Sequence, residues 1–467
     1  MRLRLKGRYF FVVRESFQSG ETMGSSMLGR DANWLLGMAV LLALGLVPSV
    51  GAAQEFEDVQ PSVGELTLKQ QGSFFIGGNA HEVPNPYAGV GTGARPGNSM
   101  INQMYVQFQK PAKSNGLPPI VFVHGCCLSS KTWETTPDGR MGWYEYFTRK
   151  GFDTYMADQV GRARSGFDAL QYQKVRYDSE ATEFADDGNG VGCVNSPSPP
   201  GPNPAGCLAP GDPRGNPVFP ALPGKTGTTS PSILIATDLF AWNVFRYGPP
   251  CTAPCGAFTS PPTIAPWPDE QFPMETVLAG GSQTFFKQVI PDLSASLGTF
   301  GANAADIRPT PQRMAVLARK LGGAILVGHS QSSSFPTKAA LQDPTGVRGI
   351  IQLETGCFLP GAGGTLTDAD VATLAKIPML IVEGDHYTTG NPPVPQARPV
   401  SPCPEEIAAI RKAGGDITYV HLPEVAGIGT GNSHMFMQDH NNLKIADLII
   451  HWIRHHVGDR AGNEASD

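Results

Sequence analysis

Charge is scarce in this chain. Only 16% of its 467 residues are charged, no long block of one sign occurs, and the formal net charge is −6. Such a chain offers no basic footprint for a phosphate backbone, so nucleic acid is not an expected partner. No internal repeat is found, which sets aside repeat arrays. The eight cysteines lack paired C-x-x-C hooks; a zinc site at Cys193, Cys207, Cys251 and Cys255 therefore ranks well below disulfides, and no metal is expected. No cysteine follows the apolar run near the N-terminus, so a lipoprotein anchor is not indicated. What is plentiful is glycine and proline, 55 and 42 residues, a composition that implies long ordered loops. The length suits one large domain with insertions, or two domains.

Trp34 to Ala53 carries no charge, follows Arg30 and ends in Val50-Gly51-Ala52-Ala53. That order of basic, apolar and small residues is the order of a secretory signal. A membrane anchor is the alternative, since about 20 residues span a bilayer; Pro48 and the small residues after it favour cleavage. Met23 or Met27 is a better initiator than Met1, and the mature chain is expected to begin near Gln54, exported to the periplasm or the medium without a stable membrane anchor. In an oxidising compartment an even cysteine count implies disulfides. Cys193, Cys207, Cys251, Cys255, Cys357 and Cys403 are candidates.

Glu65–Ile76, Ile101–Lys110, Pro118–Val123 and Phe152–Asp158 read as strands, and Trp143–Lys150 as a helix. The alternation lapses over residues 167–305, much of which is Pro, Gly, Ser and Thr. A bare linker is one reading, but four cysteines with Phe240, Trp242, Phe245 and Tyr247 call for burial. An inserted cap is expected there. Alternation resumes with a helix at Pro311–Leu321, strands at Val347–Glu354, Pro378–Val382 and Thr418–Leu422, and a helix at Glu405–Ala413. Ile445, Leu448, Ile449, Trp452 and Ile453 form the apolar stripe of a last helix. The expected architecture is α/β: a mostly parallel sheet flanked by helices, with a long inserted cap. Residues 1–53 form the upstream extension and signal, 54–166 and 306–460 the two parts of the core, 167–305 the cap, and 461–467 a tail.

Gly328-His329-Ser330-Gln331-Ser332 follows the apolar run Ala324–Val327 and precedes a plausible helix. This is the setting in which a G-x-S-x-G-like elbow lifts a serine hydroxyl off the sheet. Ser332 stands where a second glycine is usual. A serine hydroxyl needs a base, and the base an orienting acid. His434, in Gly431-Asn432-Ser433-His434-Met435, lies on a loop before the last helix, after both serine and acid in chain order. Two carboxylates compete for the acid. Glu354 closes an apolar strand, where burial is costly unless the group is paired; Asp385 sits in the loop after the next strand. The residues alone leave them nearly even. Donors for the developing oxyanion would be the N–H of Gln331 and one from the loop His124-Gly125-Cys126-Cys127. In an exported protein the adjacent Cys126 and Cys127 are expected to form a vicinal disulfide.

HGCCLSSKTWE (His124 to Glu134), GHSQSS (Gly328 to Ser333), IIQLE and GNSHM together resemble a subfamily of secreted bacterial α/β-hydrolase esterases. Its members carry adjacent cysteines in the oxyanion loop and a glutamate as third triad member, and esterases that de-esterify sulfonylurea herbicides look like relatives. The resemblance spans roughly residues 65 to 458, apart from a divergent cap. It implies an α/β-hydrolase fold, Ser330 as nucleophile, His434 as base, Glu354 as acid with Asp385 in reserve, and the Cys126 and Gln331 amides as oxyanion donors. No cofactor is implied. The expected substrate is a small-molecule ester, bulky or aryl in view of the cap's aromatic residues. The same triad could instead cleave amides or transfer acyl groups, and a non-catalytic binding protein would need only the fold.

Overall fold

The computed structural model describes residues 59–83, 97–167, 238–250, 264–278, 281–289, 309–354, 366–386, 388–389, 394–395 and 404–458. The expected signal segment, the 461–467 tail and Cys193, Cys207, Cys251, Cys255, Cys357 and Cys403 lie outside these residues. Among the described residues no helix is long and apolar enough to cross a membrane.

An eight-stranded sheet carries the fold. Its strands are β1 (Leu68–Val83), β2 (Gly97–Pro111), β3 (Ile120–Val123), β4 (Thr154–Ala157), β5 (Ala324–His329), β6 (Val347–Leu353), β7 (Met379–Glu383) and β10 (Ile417–His421). The spatial order is β1-β2-β4-β3-β5-β6-β7-β10. The pairs β1–β2 and β2–β4 are antiparallel and every later pair is parallel. A separate two-stranded ladder joins β8 (Thr388–Thr389) to β9 (Val394–Pro395). β1 runs on past the expected Ile76, because its antiparallel ladder to β2 continues to the pair Val83–Gly97. Backbone pairing holds this outer stretch where apolar patterning is absent.

The helices are α1 (Trp143–Arg149), α2 (Asp238–Phe245), α3 (Thr284–Gln288), α4 (Pro309–Lys320), α5 (Phe335–Gln342), α6 (Asp368–Leu374), α7 (Pro404–Lys412) and α8 (Asn442–Ile453). α6 has no apolar stripe to announce it. A capping box starts it: Thr367 Oγ1 accepts from Asp370 N–H at 3.2 Å, and Asp370 Oδ2 accepts from Thr367 N–H at 2.9 Å.

Both sheet faces are covered. Successive residues of β3 point to opposite sides: Ile120 and Phe122 join one apolar cluster with Phe147 of α1 and Ile445 and Ile449 of α8. Val121 and Val123 join the other, with Met314 and Leu317 of α4, Phe335 of α5 and Ile410 of α7. The central strands are therefore fully buried, as a parallel sheet between two helical layers must be. The described part of the 167–305 segment packs into the first cluster through Trp242, Phe245, Tyr247, Phe272 and Phe285. Tyr247 and Phe272 rings lie 4.5 Å apart, and Phe245 and Phe285 rings 5.5 Å apart. Fully burying a side chain of this size contributes roughly 1.5–3 kcal/mol, so these residues are part of the core.

Candidate active site

Strand β5 ends at His329, and Ser330 follows with φ +56, a left-handed conformation uncommon for a residue with a Cβ. A short 3-10 turn, Ser330–Ser332, then leads into α5. The turn is so tight that a Cβ on Gly328 would stand 2.0 Å from the Ser332 carbonyl oxygen. Ser332, at the unusual position of the motif, is buried and ties the turn down. Its Oγ accepts from His329 N–H at 3.0 Å and lies 2.9 Å from the Val123 carbonyl and 3.0 Å from the His329 carbonyl, one of which takes its proton. The hydroxyl thus bonds the elbow to the end of β3, a bond that glycine could not make.

The loop after β3 is held from several sides. Gln159 N–H donates to His124 Nε2 at 3.1 Å, which leaves the ring proton on Nδ1, bonded to the Gly125 carbonyl at 2.8 Å. Burial, opposed by Asp158, takes the His124 pKa down to about 4, so the ring is neutral at neutral pH. Asp158 Oδ1 accepts from Ser130 N–H at 2.8 Å. Gly125 lies against the elbow: a Cβ there would be 3.0 Å from Ser330 Cβ and 2.9 Å from His329 Nδ1. The Cys126 amide follows directly, and the Gln331 amide lies in the first turn of a 3-10 helix, where N–H groups have no intrahelical acceptor.

The expected Cys126–Cys127 disulfide is not formed. The two sulfurs are 2.8 Å apart, against about 2.05 Å for a bonded pair, and both residues are buried free thiols. The loop sets this spacing. Its backbone is fixed by the Asp158 and Gln159 bonds, Cys127 takes φ +59, and Val289 packs against the pair.

His434 lies on the loop between β10 and α8. Asp439 shapes that loop, accepting from Ser433 N–H at 2.8 Å and Ser433 Oγ at 2.7 Å. Burial pushes Asp439 up to about 7 against those two bonds. His434 Nδ1 is 3.0 Å from Glu354 Oε2. Its backbone N–H donates to the Phe245 carbonyl at 3.1 Å, and the Phe245 ring stacks on the imidazole at 5.7 Å. His329 Nε2 approaches the His434 carbonyl at 2.8 Å and must be the donor, which joins the residue before Ser330 to the candidate base. Burial takes the His329 pKa down to about 3. His434 Nε2 is buried and has no hydrogen-bond partner among the described residues.

Glu354 follows β6 with φ +54 and is almost fully buried. Its Oε1 accepts from Gly384 N–H at 2.6 Å. Its Oε2 is shared by His434 and by Arg246 Nη1 at 2.8 Å. Burial works against the ionised form, but Arg246 and His434 outweigh it and hold the carboxyl well below its usual range. Since the carboxylate can only accept, His434 carries its proton on Nδ1 and keeps the Nε2 lone pair. Burial lowers the His434 pKa, and the bond to Glu354 opposes this.

Asp385 is occupied elsewhere. It accepts from Gly431 N–H and, at 3.3 Å, from Asn432 Nδ2, and makes no bond to His434. Among the described residues, Asp269, Asp385 and His386 are the group whose ligand atoms converge, within 4.8 Å of one another. His386 Nε2 already lies 3.0 Å from Asp269 Oδ1, and both Asp385 oxygens are engaged. Nothing in the sequence marks Arg246, which lies in a Pro- and Gly-rich stretch, or the Gly384 amide, although Gly384 adjoins Asp385.

No family model matches the chain. A solved structure of a bacterial esterase superposes with a TM-score of 0.60 at 32% identity, covering 85% of this chain and 99% of that one. The chain belongs to the α/β-hydrolase esterases. Carboxylic ester hydrolysis is the activity of that family, and this esterase has its eight-stranded, mostly parallel sheet between helical layers. A second similarity is local. The esterase is 39% identical over 62 residues to a protein of Fungal sp. (strain ATCC 74256) named "Probable secreted lipase phiG". That match spans 13% of this chain and 17% of the fungal protein.

Proposed function

We propose that this protein is an exported serine carboxylesterase in which Ser330 is the nucleophile, His434 the general base and Glu354 the orienting acid. One observation carries the reading. The imidazole is bonded through Nδ1 to a buried carboxylate at 3.0 Å and presents an Nε2 with no hydrogen-bond partner among the described residues, on a loop joined by His329 to the strained elbow of Ser330. Export rests on the uncharged Trp34–Ala53 run before small residues, and on the local likeness to a protein named as a secreted lipase.

In the acylation half, His434 Nε2 takes the Ser330 proton as Oγ adds to the ester carbonyl. The Cys126 and Gln331 amides donate to the oxyanion, each worth about 2.7–4 kcal/mol in comparable sites. Protonated His434 then gives its proton to the leaving alcohol as the C–O bond breaks. Water, deprotonated by His434, adds to the acyl-enzyme, and collapse expels Ser330 with the proton returned from Nε2. The aromatic residues of the 167–305 segment favour an apolar, bulky or aryl ester.

The test is labelling with a fluorophosphonate probe and peptide mapping, in wild type and in Ser330→Ala. A single adduct at Ser330, lost in the variant, is the expected result. Folded protein that takes no label would instead favour a binding protein on a hydrolase scaffold. Labelled protein that cleaves aryl amides but not aryl esters would make it an amidase.

A further inference from the structure

We propose that Arg246, delivered by the cap, is a positioning residue that holds Glu354 against His434 and couples the triad to the cap. This inference rests on the Ser330–His434–Glu354 reading above.

The local chain is built to deliver this side chain. Helix α2 closes with Tyr247 N–H donating to the Trp242 carbonyl at 3.3 Å, the six-to-one bond of a Schellman turn. The residue inside that bond takes a left-handed conformation and is usually glycine. Here it is Arg246, at φ +63. Glycine would close the helix without strain but could not supply a guanidinium. The side chain is 6% exposed, and Nη1 lies 2.8 Å from Glu354 Oε2, the oxygen that also takes His434 Nδ1. The preceding residue reinforces the clamp, because the Phe245 carbonyl takes the His434 N–H and its ring stacks on the imidazole. Two successive cap residues thus touch both members of the pair, and α2 itself is anchored by Trp242, Phe245 and Tyr247 in the core.

The charge of Arg246 has a direction of effect. It favours ionised Glu354 and disfavours protonated His434. Among the described residues, the other titratable groups facing the pair are His329 from the elbow, neutral in its buried setting, Asp439 from the histidine loop, and Glu270 from the cap. Glu270 is pushed up to about 10, by burial first, and is therefore neutral at working pH. Arg246 is the cation that these groups leave to balance Glu354. With it in place, Glu354 stays ionised and His434 stays a free base to lower pH.

The experiment compares kcat and KM for an aryl ester between pH 4 and 9 in wild type, R246Q, R246M and R246K. In R246Q and R246M the buried pair loses its cation and binds a proton more tightly. The acid limb of kcat/KM is expected to move up by about one pH unit, with kcat about tenfold lower or more and KM within about threefold. R246K is expected to restore the limb. The limb position does not depend on the fraction of folded enzyme, so partial misfolding does not obscure it. An unmoved limb in both neutral variants, or a limb in R246K displaced as far as in R246Q, would overturn the proposal. Fluorophosphonate labelling of wild type separates the two levels: no adduct at Ser330 removes the triad reading itself, whereas a Ser330 adduct with an unmoved limb removes only the role of Arg246.

Discussion

His434 Nδ1 meets Glu354 Oε2 at 3.0 Å, while Asp385, which follows the neighbouring strand, spends both its oxygens on Gly431 and Asn432. Strands β6 and β7 are parallel neighbours, so both carboxylates leave the same edge of the sheet, and only one reaches the imidazole.

That difference separates two substitutions. Glu354→Gln replaces an acceptor with a group that can present N–H to His434 or Arg246, and kcat should fall about 10³–10⁴-fold, as when a triad acid becomes an amide elsewhere. Asp385→Asn should leave kcat roughly unchanged and cost about 1–3 kcal/mol of stability through the weakened bond to Gly431. Steady-state kinetics with urea unfolding checks both. The reverse pattern would make Asp385 the acid.

The elbow hydroxyl gives a second expectation. Ser332→Ala removes the bonds to His329 N–H and to the Val123 or His329 carbonyl, inside a buried turn. Stability should fall by about 1–3 kcal/mol, read as a lower urea midpoint at unchanged m. A midpoint equal to wild type would mean that the hydroxyl contributes nothing to the turn.

Gly125 offers a third. A methyl there would press on Ser330 Cβ and His329 Nδ1, so Gly125→Ala must move the loop that carries the Cys126 amide. Misplacement of about 1 Å can cost about 10²-fold in rate, and kcat should drop by that order with far-UV circular dichroism unchanged. Wild-type kcat in this variant would show that the loop has room to spare.

The pH profile supplies a fourth. If His434 is the base, as proposed, it must be neutral, so kcat/KM should rise with pH through the His434 pKa and be level above it. Burial takes that pKa below its ordinary 6.5 despite the Glu354 bond. Half-maximal kcat/KM should therefore fall below pH 6.5; a midpoint at or above 7 would contradict the burial of the imidazole.

Much of this was legible in the chain itself because it is local. Apolar runs mark β3, β5 and β6, and the proposed site residues stand just after them: His124, Ser330, Glu354. The stripe of α8 places its start, and so the loop that bears His434, without any structure. Periodicity and turn chemistry act over a few residues, and sequence carries them directly.

Proximity is another matter. Glu354 and Asp385 each follow an apolar strand, and nothing in their neighbourhoods tells which one an imidazole far along the chain will meet. Cys126 and Cys127 are adjacent in sequence, yet the bonds of Ser130 to Asp158 and of Gln159 to His124 hold a loop whose sulfurs stay unbonded. Arg246 lies in a stretch without period or motif, and its left-handed turn and its reach to Glu354 exist only once Trp242, Phe245 and Tyr247 are packed. The residue types and their strand-end positions were determined by the sequence alone. Which charge balances which was decided by tertiary structure, because electrostatic pairing depends on distance and burial, and both arise only when the segment around Arg246 and the sheet share one core.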